Sequence, residues 1–451
     1  MSLRFGTDGV RGVANTELTP ELVLALGRAA ARVFGAERFF VGRDTRISGP
    51  LLQAALSAGM AAEGADVADL GVLPTPGVAW VSAAEDQPGA VISASHNPFG
   101  DNGIKFFSAG GRKLDDELEA RLEAELDRLL ADTGSGGCPT GSALGRLVAF
   151  DGAGPYGEAL VATADGALSG LSVVVDCGNG AASAIAPQVL RELGADVTVV
   201  NAEPDGLNIN RDCGSTHPAG LQRVVVERGA DAGLAFDGDA DRVVAVDHRG
   251  ELVDGDHLIA ICALDRRQRG RLPDDTVVVT VMSNLGLRQA LAANDIRWVE
   301  TDVGDRAVLE ALEKGGWSLG GEQSGHVIFR DLSTTGDGIL TGLQVLEVMA
   351  RTGAALADLA AVMTRSPQVL RNVPVVRRSA LDGNHEVATA MKAVSAKLGD
   401  RGRVLVRPSG TEELVRVMVE APTVADAETA CAALCVVVER SMGVVPAPLQ
   451  P

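Results

Sequence analysis

A serine and a histidine stand side by side where an apolar stretch gives way to a polar loop. The hexapeptide S-A-S-H-N-P ends at Pro98 and places Ser95 next to His96, after the apolar residues 89–92. Functional groups of open α/β sheets lie where strands end, so Ser95 is a candidate nucleophile and His96 a candidate for proton transfer. Lys105 follows, and its ammonium group could neutralise a phosphoryl group or protonate a leaving oxygen. The G-x-S-x-G pattern of serine hydrolases does not occur here, and an ordinary polar turn is the remaining alternative.

Three carboxylates crowd into the segment D-G-D-A-D-R. Asp237, Asp239 and Asp241 alternate, so that on an extended backbone they would project to the same side. Mg²⁺ favours a few carboxylates together with phosphate oxygens, which fits this segment. An EF-hand loop is excluded because Arg242 and His248 occupy the positions that require Gly and Glu. Close carboxylates repel one another and a bound cation removes that cost, so the segment predicts a magnesium site, with a solvated acidic turn as the alternative.

The serine and the aspartates together predict a phosphoryl-transfer enzyme. A phosphorylated Ser95 held against a divalent cation by the three aspartates would use both segments. Arg242 directly follows the last aspartate and is a further candidate for catalysis. Arg11, in the N-terminal segment F-G-T-D-G-V-R-G, could reach a phosphate, although a solvated turn explains that segment equally well.

A possible phosphate-binding loop lies near the C-terminus. The stretch R-P-S-G-T runs from Arg407 to Thr411 between two strand-like segments, and Arg416 follows. Backbone N–H groups freed by Gly410, the hydroxyl groups of Ser409 and Thr411, and two guanidinium groups would suit a phosphate. Considered alone, the stretch is better explained by an ordinary hairpin turn.

Two further loops are dense in glycine and polar side chains. G-G-E-Q-S-G-H contains Glu322 and Ser324, which could receive sugar hydroxyls or an amine, and His326, which could act as an acid or base. A purely structural role is the alternative for this histidine. T-D-V-G-D-R contains Gly304 and Asp305, which are candidates for substrate binding.

Composition limits the class of protein and its partners. The chain has 451 residues with 46% apolar and 3% aromatic residues, which suits three to four domains with Ala, Val and Leu cores in α/β layers. A formal net charge of −20 argues against nucleic acid or an anionic membrane as a partner. No stretch approaches the roughly 20 apolar residues of a membrane span, and no signal-peptide core is visible. The six cysteines lack metal-like spacing, so we expect reduced thiols and a cytoplasmic protein.

A strand–helix–strand pattern that occurs three times must position these loops. The three units begin near residues 38, 171 and 276, and each combines an apolar strand, a glycine-containing loop and an amphipathic helix. The last part of the chain differs, since strands near residues 369 and 404–419 alternate with two helices. We therefore predict three related α/β domains and a smaller α+β domain, with the bounds 1–152, 153–252, 253–368 and 369–451.

With these segments assembled, the chain resembles the α-D-phosphohexomutase family over essentially its full length. The segments F-G-T-D-G-V-R-G and G-G-E-Q-S-G-H are similar to the branch of bacterial phosphoglucosamine mutases. The resemblance implies four domains around a central active-site cleft, with Ser95 carried as phosphoserine. It implies one Mg²⁺ bound by that phosphoryl group and by Asp237, Asp239 and Asp241.

The same resemblance implies a reaction and a role for each loop. Glucosamine 6-phosphate and glucosamine 1-phosphate would interconvert through a 1,6-bisphosphate of glucosamine or glucose, feeding UDP-N-acetylglucosamine and peptidoglycan precursors. Arg11 and Lys105 would assist at the reacting centre, and Glu322 and Ser324 would hold the sugar's 3- and 4-hydroxyls. The substrate phosphate would bind to the loop residues and the two arginines, namely Arg407, Ser409, Gly410, Thr411 and Arg416.

Two departures from the family pattern and three alternatives accompany this interpretation. Gly100 stands where an aromatic residue is common, and Glu413 stands where proline is common, which adds negative charge beside the predicted anion site. The nearest alternative is a phosphomannomutase/phosphoglucomutase with broad hexose specificity. A catalytically silent sugar-phosphate-binding homologue and a metal-dependent phosphatase are the others. We expect a small-molecule hexosamine phosphate as the partner and a monomer or homodimer.

Overall fold

The computed structural model describes residues 9–131, 139–409 and 413–443. They divide into two compact units. The first unit comprises Met1–Met282 and Asn294–Val362, and the C-terminal unit comprises Ser283–Ala293 and Met363–Pro451. The four domain ranges proposed from the sequence stay predictions.

The N-terminal part of the first unit forms a mixed sheet covered by helices. Its elements are β1 (Val10–Val13), α1 (Pro20–Phe34), β2 (Arg38–Arg43), α2 (Gly49–Ala62), β3 (Asp66–Val72), α3 (Thr75–Ala84), β4 (Gly89–Ile92), β5 (Asp101–Ser108), β6 (Arg112–Lys113), α4 (Asp116–Ala131) and β7 (Leu147–Ala149). The strand order is β1-β5-β4-β2-β3-β7, and β6 pairs with β5. Because β2, β3, β4 and β7 run parallel, their carboxyl ends meet at one edge of the sheet.

A second mixed sheet follows in the same unit. Its elements are α5 (Ala153–Ala162), β8 (Ser172–Asp176), α6 (Ala182–Glu192), β9 (Asp196–Val200), α7 (Ala219–Arg228), β10 (Ala232–Phe236), β11 (Val243–Asp247) and β12 (Leu252–Val253). The order is β12-β11-β10-β8-β9, with β8 parallel to both β9 and β10. The turn between β10 and β11 carries the three aspartates.

A third mixed sheet completes the first unit. Its elements are α8 (Gly255–Gln268), β13 (Thr276–Thr280), β14 (Arg297–Thr301), α10 (Asp305–Gly315), β15 (Leu319–Gly321), β16 (Val327–Phe329), α11 (Gly338–Thr352) and α12 (Leu356–Ala360), while α9 (Leu285–Ala293) belongs to the C-terminal unit. The order is β14-β13-β15-β16, and only β16 runs antiparallel to its neighbour.

The C-terminal unit is built on an antiparallel sheet. Its further elements are β17 (Gln368–Pro374), α13 (His385–Leu398), β18 (Arg403–Pro408), β19 (Leu414–Glu420) and α14 (Val424–Met442). β19 lies between β17 and β18. Valines of all three strands pack against α13 and α14 to form the core of this unit.

The predicted fold class is confirmed. Apolar runs become strands buried on both faces, as in β10, β11 and β13, which explains why they lack alternation. Two of the helices, α1 and α13, begin at side-chain caps, since Thr19 accepts from Leu22 N and Asn384 accepts from Val387 N. Among the residues described, no helix combines the length and apolar character needed to cross a membrane.

Candidate active site

Ser95 lies in the loop that follows β4, at the carboxyl edge of the first sheet. Its side chain is buried, and its Oγ donates a hydrogen bond to Asp237 Oδ2 at 2.5 Å. His96 Nδ1 lies 3.3 Å from the same Oγ. The backbone of Ser95 has a φ of 51°, a left-handed conformation that non-glycine residues rarely adopt. The structure therefore brings the predicted nucleophile to one of the predicted metal ligands.

The three aspartates converge in a tight turn, and the extended backbone considered from the sequence is wrong. Asp237, Asp239 and Asp241 are all buried, and their ligand atoms lie within 4.8 Å of one another. Ala240 has a φ of 56°, which bends the chain between the second and third carboxylates. Gly238 allows a close approach, since a Cβ there would lie 2.6 Å from the carbonyl oxygen of Ser95.

The donor set fits a hard divalent cation. Asp239 Oδ1 and Asp241 Oδ1 are buried and have no hydrogen-bond partner within the described part of the chain. An unsatisfied buried carboxylate oxygen is costly, and coordination to a cation would satisfy it. Their other oxygens are held by protein groups, because Lys105 Nζ donates to Asp239 Oδ2 at 3.1 Å and lies 3.7 Å from Asp241 Oδ2.

Burial and neighbouring charges divide the carboxylates. Burial raises the pKa of Asp237, and the charges of Asp241 and Asp239 raise it further. For Asp241, burial acts upward, but Lys105 and His326 outweigh it and hold the pKa well below its usual value. The cluster thus combines one carboxyl group that resists ionisation with one that is strongly anionic.

Two histidines flank the cluster in different electrostatic surroundings. His96 Nδ1 lies 3.3 Å from the Arg242 guanidinium, and burial together with the charges of Arg242 and Arg11 lowers the pKa of His96. His326 Nδ1 lies 3.6 Å from Asp241 Oδ2, and its Nε2 lies 3.6 Å from Asp305 Oδ2. Burial lowers the pKa of His326, but the hydrogen bond and charge of Asp241 raise it overall.

The residues predicted to bind the sugar lie in two places. Gly304 and Asp305 lie at the start of α10, and Glu322, Ser324 and His326 lie in the loop between β15 and β16. Glu322 Oε1 accepts a hydrogen bond from Gly304 N at 3.0 Å, so the structure brings these two predicted residues together. Ser324 is exposed to solvent. Asp305 forms an ion pair with Lys113, in addition to its contact with His326. Arg11 lies half-buried on β1, opposite Gly103 on β5.

The predicted phosphate loop lies in the C-terminal unit. Arg407 on β18 and Arg416 on β19 are directly opposite in the antiparallel pair. Ser409 N donates to Leu414 O at 2.9 Å, which closes the base of the loop. Arg416 Nε is buried and makes no hydrogen bond to any residue described. Gly410 and Thr411, which the sequence also assigns to this loop, lie outside the described residues.

Four residues that the sequence did not single out contact the three aspartates or the loop between β4 and β5 (residues 93–100), which we call the serine loop. Thr75, at the start of α3, donates through Oγ1 to Asp239 Oδ2 at 2.7 Å. Asn210 Nδ2 donates to the carbonyl oxygen of Ser95 at 2.8 Å. Asp44 and Arg46 follow β2, which is the parallel neighbour of β4. Since parallel neighbours end at the same edge, the charged residues that follow β2 offered a signal in the sequence.

Comparison with protein families assigns the whole chain. Family models described as phosphoglucomutase/phosphomannomutase match it in four stretches: α/β/α domain I at residues 2–132, α/β/α domain II at 155–250, α/β/α domain III at 254–366 and the C-terminal domain at 370–435. The chain belongs to the phosphoglucomutase/phosphomannomutase family. The resemblance inferred from the sequence is confirmed.

Relatives within this family resemble the chain along nearly its full length. It is 55% identical over 429 residues to a phosphoglucosamine mutase of Rhodococcus jostii (strain RHA1), covering 93% of this chain and 96% of the relative. It is also 55% identical over 450 residues to a phosphoglucosamine mutase of Symbiobacterium thermophilum, covering 98% of this chain and 100% of the relative.

Solved structures of the phosphoglucomutase/phosphomannomutase type share the fold. A family protein from Burkholderia thailandensis aligns with a TM-score of 0.82 at 26% identity, covering 99% of each chain. The N-acetylphosphoglucosamine mutase of Aspergillus fumigatus, solved in complex with GlcNAc-6P and magnesium, aligns with a TM-score of 0.69 at 19% identity, covering 98% of this chain and 96% of that one. The second likeness supports the fold alone.

Proposed function

We propose that the chain is a phosphoglucosamine mutase, an isomerase that interconverts glucosamine 6-phosphate and glucosamine 1-phosphate. The observation that carries the proposal is the 2.5 Å contact between Ser95 Oγ and Asp237 inside a buried cluster of three carboxylates. The full-length identity to phosphoglucosamine mutases selects the amino sugar among hexose substrates. A phosphomannomutase/phosphoglucomutase of the same family is the second candidate.

Ser95 is the proposed phosphoryl carrier. In the first half-reaction the P–O bond of phosphoserine 95 breaks, and a new P–O bond forms to the free sugar hydroxyl, whose proton leaves to a base. The resulting 1,6-bisphosphate then returns its other phosphoryl group to Ser95, which regenerates the loaded enzyme. Glucosamine or glucose 1,6-bisphosphate would also prime an unloaded enzyme.

The residues around Ser95 have separate proposed tasks. Asp237, Asp239 and Asp241 would hold one Mg²⁺, which when bound would offset the negative charge on the transferring oxygens. Lys105 neutralises part of the acidic cluster, and its ammonium group lies close enough to two of the carboxylates to do so. The residues proposed to offset phosphoryl charge or move a proton are Arg11, His96, Arg242 and His326.

Substrate recognition is proposed for two groups of residues. Glu322 and Ser324 would receive the sugar hydroxyls, and the Gly304 amide orients the Glu322 carboxylate. Asp305 would act beside them. A phosphate group would bind to the C-terminal loop residues and arginines, namely Arg407, Ser409, Gly410, Thr411 and Arg416. A cytoplasmic location and a monomeric or homodimeric state stay predictions from the sequence.

A coupled assay tests the proposed function. The purified protein is primed with glucose 1,6-bisphosphate and Mg²⁺. Its kcat/KM is then compared for glucosamine 6-phosphate, glucose 6-phosphate and mannose 6-phosphate. Intact mass before and after priming reports one added phosphoryl group. We expect the highest kcat/KM for glucosamine 6-phosphate. A preference for mannose 6-phosphate would favour the second candidate, and release of inorganic phosphate without isomer formation would favour a phosphatase.

A further inference from the structure

Arg46 is a fully charged side chain buried beneath the serine loop. Its side chain and that of Asp44 are both 0% exposed, and its Nε donates to Asp44 Oδ2 at 2.8 Å. Burying an ion pair is unfavourable unless further hydrogen bonds satisfy the remaining donors. An apolar pair would fill the same volume more cheaply, so the other contacts of the guanidinium group need an explanation.

The remaining side-chain donors of Arg46 all point to backbone carbonyls of the loop between β4 and β5 and of the first residue of β5. Nη2 donates to Ser95 O at 2.9 Å and to Asn97 O at 2.8 Å, and Nη1 donates to Asp101 O at 3.1 Å and to Pro98 O. A guanidinium group is a rigid planar fork of donors, so it fixes the relative positions of the carbonyls that it binds. The ammonium group of lysine carries fewer donors and has no such plane.

The same ion pair also reaches the amide side of Ser95. Asp44 Oδ2 accepts from Ser93 Oγ at 2.6 Å, and Ser93 Oγ accepts from Ser95 N at 2.9 Å. The carbonyl and the amide of Ser95 are thus both tied to the Asp44–Arg46 pair. This matters because Ser95 has the left-handed φ of 51°, which for a non-glycine residue persists only where its surroundings enforce it.

We infer that Arg46 is a positioning residue for phosphoryl transfer, which clamps the loop so that Ser95 Oγ faces Asp237. The inference rests on the proposed function, since it assigns Arg46 a task in loading and unloading Ser95. Arg46 does not touch the reacting atoms. It acts through the backbone of Ser95, and its loss should change the alignment of the nucleophile more than it changes the affinity for substrate.

Arg46→Lys tests this inference in the full-length protein. Misplacement of a reacting group by about 1 Å can cost about 100-fold in rate, so we expect kcat to fall by about that factor. KM for glucosamine 6-phosphate should stay within about 3-fold of the wild type, because the clamp contacts none of the proposed sugar or phosphate ligands. Single-turnover transfer from the phosphorylated enzyme to sugar should slow by the same factor as kcat.

Arg266→Lys is the matched control. Arg266 is also buried and forms an ion pair with Asp331, but its side chain packs on Phe329 and makes no contact with the serine loop in the described structure. We expect this variant to keep wild-type kcat. If Arg46→Lys and Arg266→Lys lose activity to the same extent, the effect is general to buried arginine side chains and the inference is overturned.

A double variant separates positioning from folding. Asp44→Asn combined with Arg46→Gln removes both charges together, so that neither is left buried without its partner. We expect a thermal transition close to that of the wild type, with the loss in kcat retained. If neither Arg46 variant keeps a cooperative unfolding transition, Arg46 serves the fold and the inference is overturned.

The wild-type assay distinguishes this inference from the proposed function. If the wild-type protein does not isomerise glucosamine 6-phosphate, the proposed function fails. If the wild type is active and Arg46→Lys keeps its full kcat and single-turnover rate, only the positioning role fails.

Discussion

Asp237, Asp239 and Asp241 are almost fully buried in the first unit, whereas Arg407 and Arg416 are half-buried on two strands of the C-terminal sheet. The aspartates contact lysine, arginine and histidine side chains, which offset part of their charge. The two arginines are directly opposite each other in their strand pair, where like charges repel. One region is therefore mostly balanced within the protein, and the other brings two guanidinium groups to opposite positions of one strand pair.

The difference indicates two ways to handle an anion. A buried, braced cluster is preorganised, so it needs no rearrangement when charge develops on a transferring group. Two opposed guanidinium groups can both form charge-assisted hydrogen bonds to one phosphate. Substitutions in the first region should therefore act mainly on kcat, and substitutions in the second should act mainly on KM.

The largest effect is expected for Ser95→Ala. Removing a covalent nucleophile costs catalysis by many orders of magnitude in other enzymes, so we expect kcat to fall by at least about 10⁴-fold. Intact mass after priming with the bisphosphate should show no added phosphoryl group. The thermal transition should stay close to that of the wild type.

Ser82→Ala is the control for this prediction. Ser82 is a fully buried serine of α3, and its Oγ has no hydrogen-bond partner in the part of the chain that the structure describes. Its loss should be neutral for activity. Substantial mutase activity in Ser95→Ala would show that another group carries the phosphoryl group.

Asp239→Asn should cost metal affinity and activity together. The amide has nearly the same shape as the carboxylate but lacks the charge that a divalent cation needs. It can still accept hydrogen bonds from Thr75 and Lys105, but the ion pair with Lys105 is lost. We expect Mg²⁺ affinity, measured by calorimetry on the unphosphorylated protein, to fall by about 100-fold or more, since even outer contacts of a metal site cost 10–100-fold.

Asp247→Asn provides the comparison for Asp239→Asn. Asp247 is equally buried, but its carboxylate is occupied by Arg249 and by backbone amides outside the triad. We expect Asp247→Asn to keep the Mg²⁺ affinity of the wild type. Unchanged affinity in Asp239→Asn would mean that the ligand set is wrong.

Arg416→Met should act on KM and leave kcat nearly unchanged. A hydrogen bond to a charged group is worth about 1.5–3 kcal/mol, so we expect KM for glucosamine 6-phosphate to rise about 10- to 100-fold. Removing one of two opposed charges should also stabilise the free protein by up to about 1 kcal/mol. Arg371→Met is the control, since Arg371 lies at an exposed position of β17 and pairs with Glu428. It should change KM by less than about 2-fold and the free energy of unfolding by less than about 1 kcal/mol.

The local features of the candidate site could be predicted from the sequence. Ser95 follows an apolar strand, and the spacing of the aspartates alone predicts that they lie close together. The two helices expected in the last part of the chain are also observed, as α13 and α14. These features depend on residues that are near in sequence, where side-chain type and spacing carry the physical information.

The contacts that brace the site could not be predicted, because they join distant segments. The charged residues after β2 gave a signal for their edge of the sheet but not for their partners. Thr75 reaches Asp239, and Arg46 reaches the serine loop, only because separate strands end at neighbouring edges. The turn at Ala240 was also missed, since alanine does not favour a left-handed backbone and no local signal marks it. Tertiary packing, and not local preference, decides these positions.

Asp337 should make the free energy of unfolding of the first unit sensitive to pH. It caps α11 and accepts from Tyr156 OH at 2.7 Å, and burial raises its pKa to about 6. Since the folded state then binds a proton more tightly than the unfolded state, the stabilising contribution is present below the usual pKa of 3.8 and is lost as pH rises through about 6. The loss is about 3 kcal/mol, from a rise of roughly 2 pKa units at about 1.4 kcal/mol each.

Asp337→Asn should remove that pH dependence while keeping the helix cap. Urea unfolding between pH 4 and pH 7 measures the free energy of unfolding, and the wild type is expected to lose stability relative to the variant as pH rises. Asp127→Asn, at an exposed position of α4, should follow the wild type. Parallel curves for wild type and Asp337→Asn would contradict the prediction.

The smallest effect is expected for Glu413→Gln, at a position that departs from the family pattern. Glu413 Oε2 accepts from Arg378 N at 2.8 Å, and the Arg378 guanidinium donates to Ser409 O at 2.7 Å. The glutamine keeps an acceptor for the amide but removes a negative charge beside the phosphate loop. Because the Glu413 side chain is 59% exposed, solvent and salt screen that charge, and its interactions are worth less than about 1 kcal/mol.

Two opposed consequences of the charge can be separated by ionic strength. If Glu413 mainly repels the substrate phosphate, Glu413→Gln lowers KM by up to about 3-fold in dilute buffer, and the difference disappears as salt is added. If Glu413 mainly holds Arg378 over the base of the loop, KM rises instead, and salt changes the difference little because the amide contact is short. We expect the first result, since the variant retains the contact to Arg378 N. A KM that rises at every ionic strength would show that the C-terminal region is also braced, and the contrast with the buried cluster would then be one of degree.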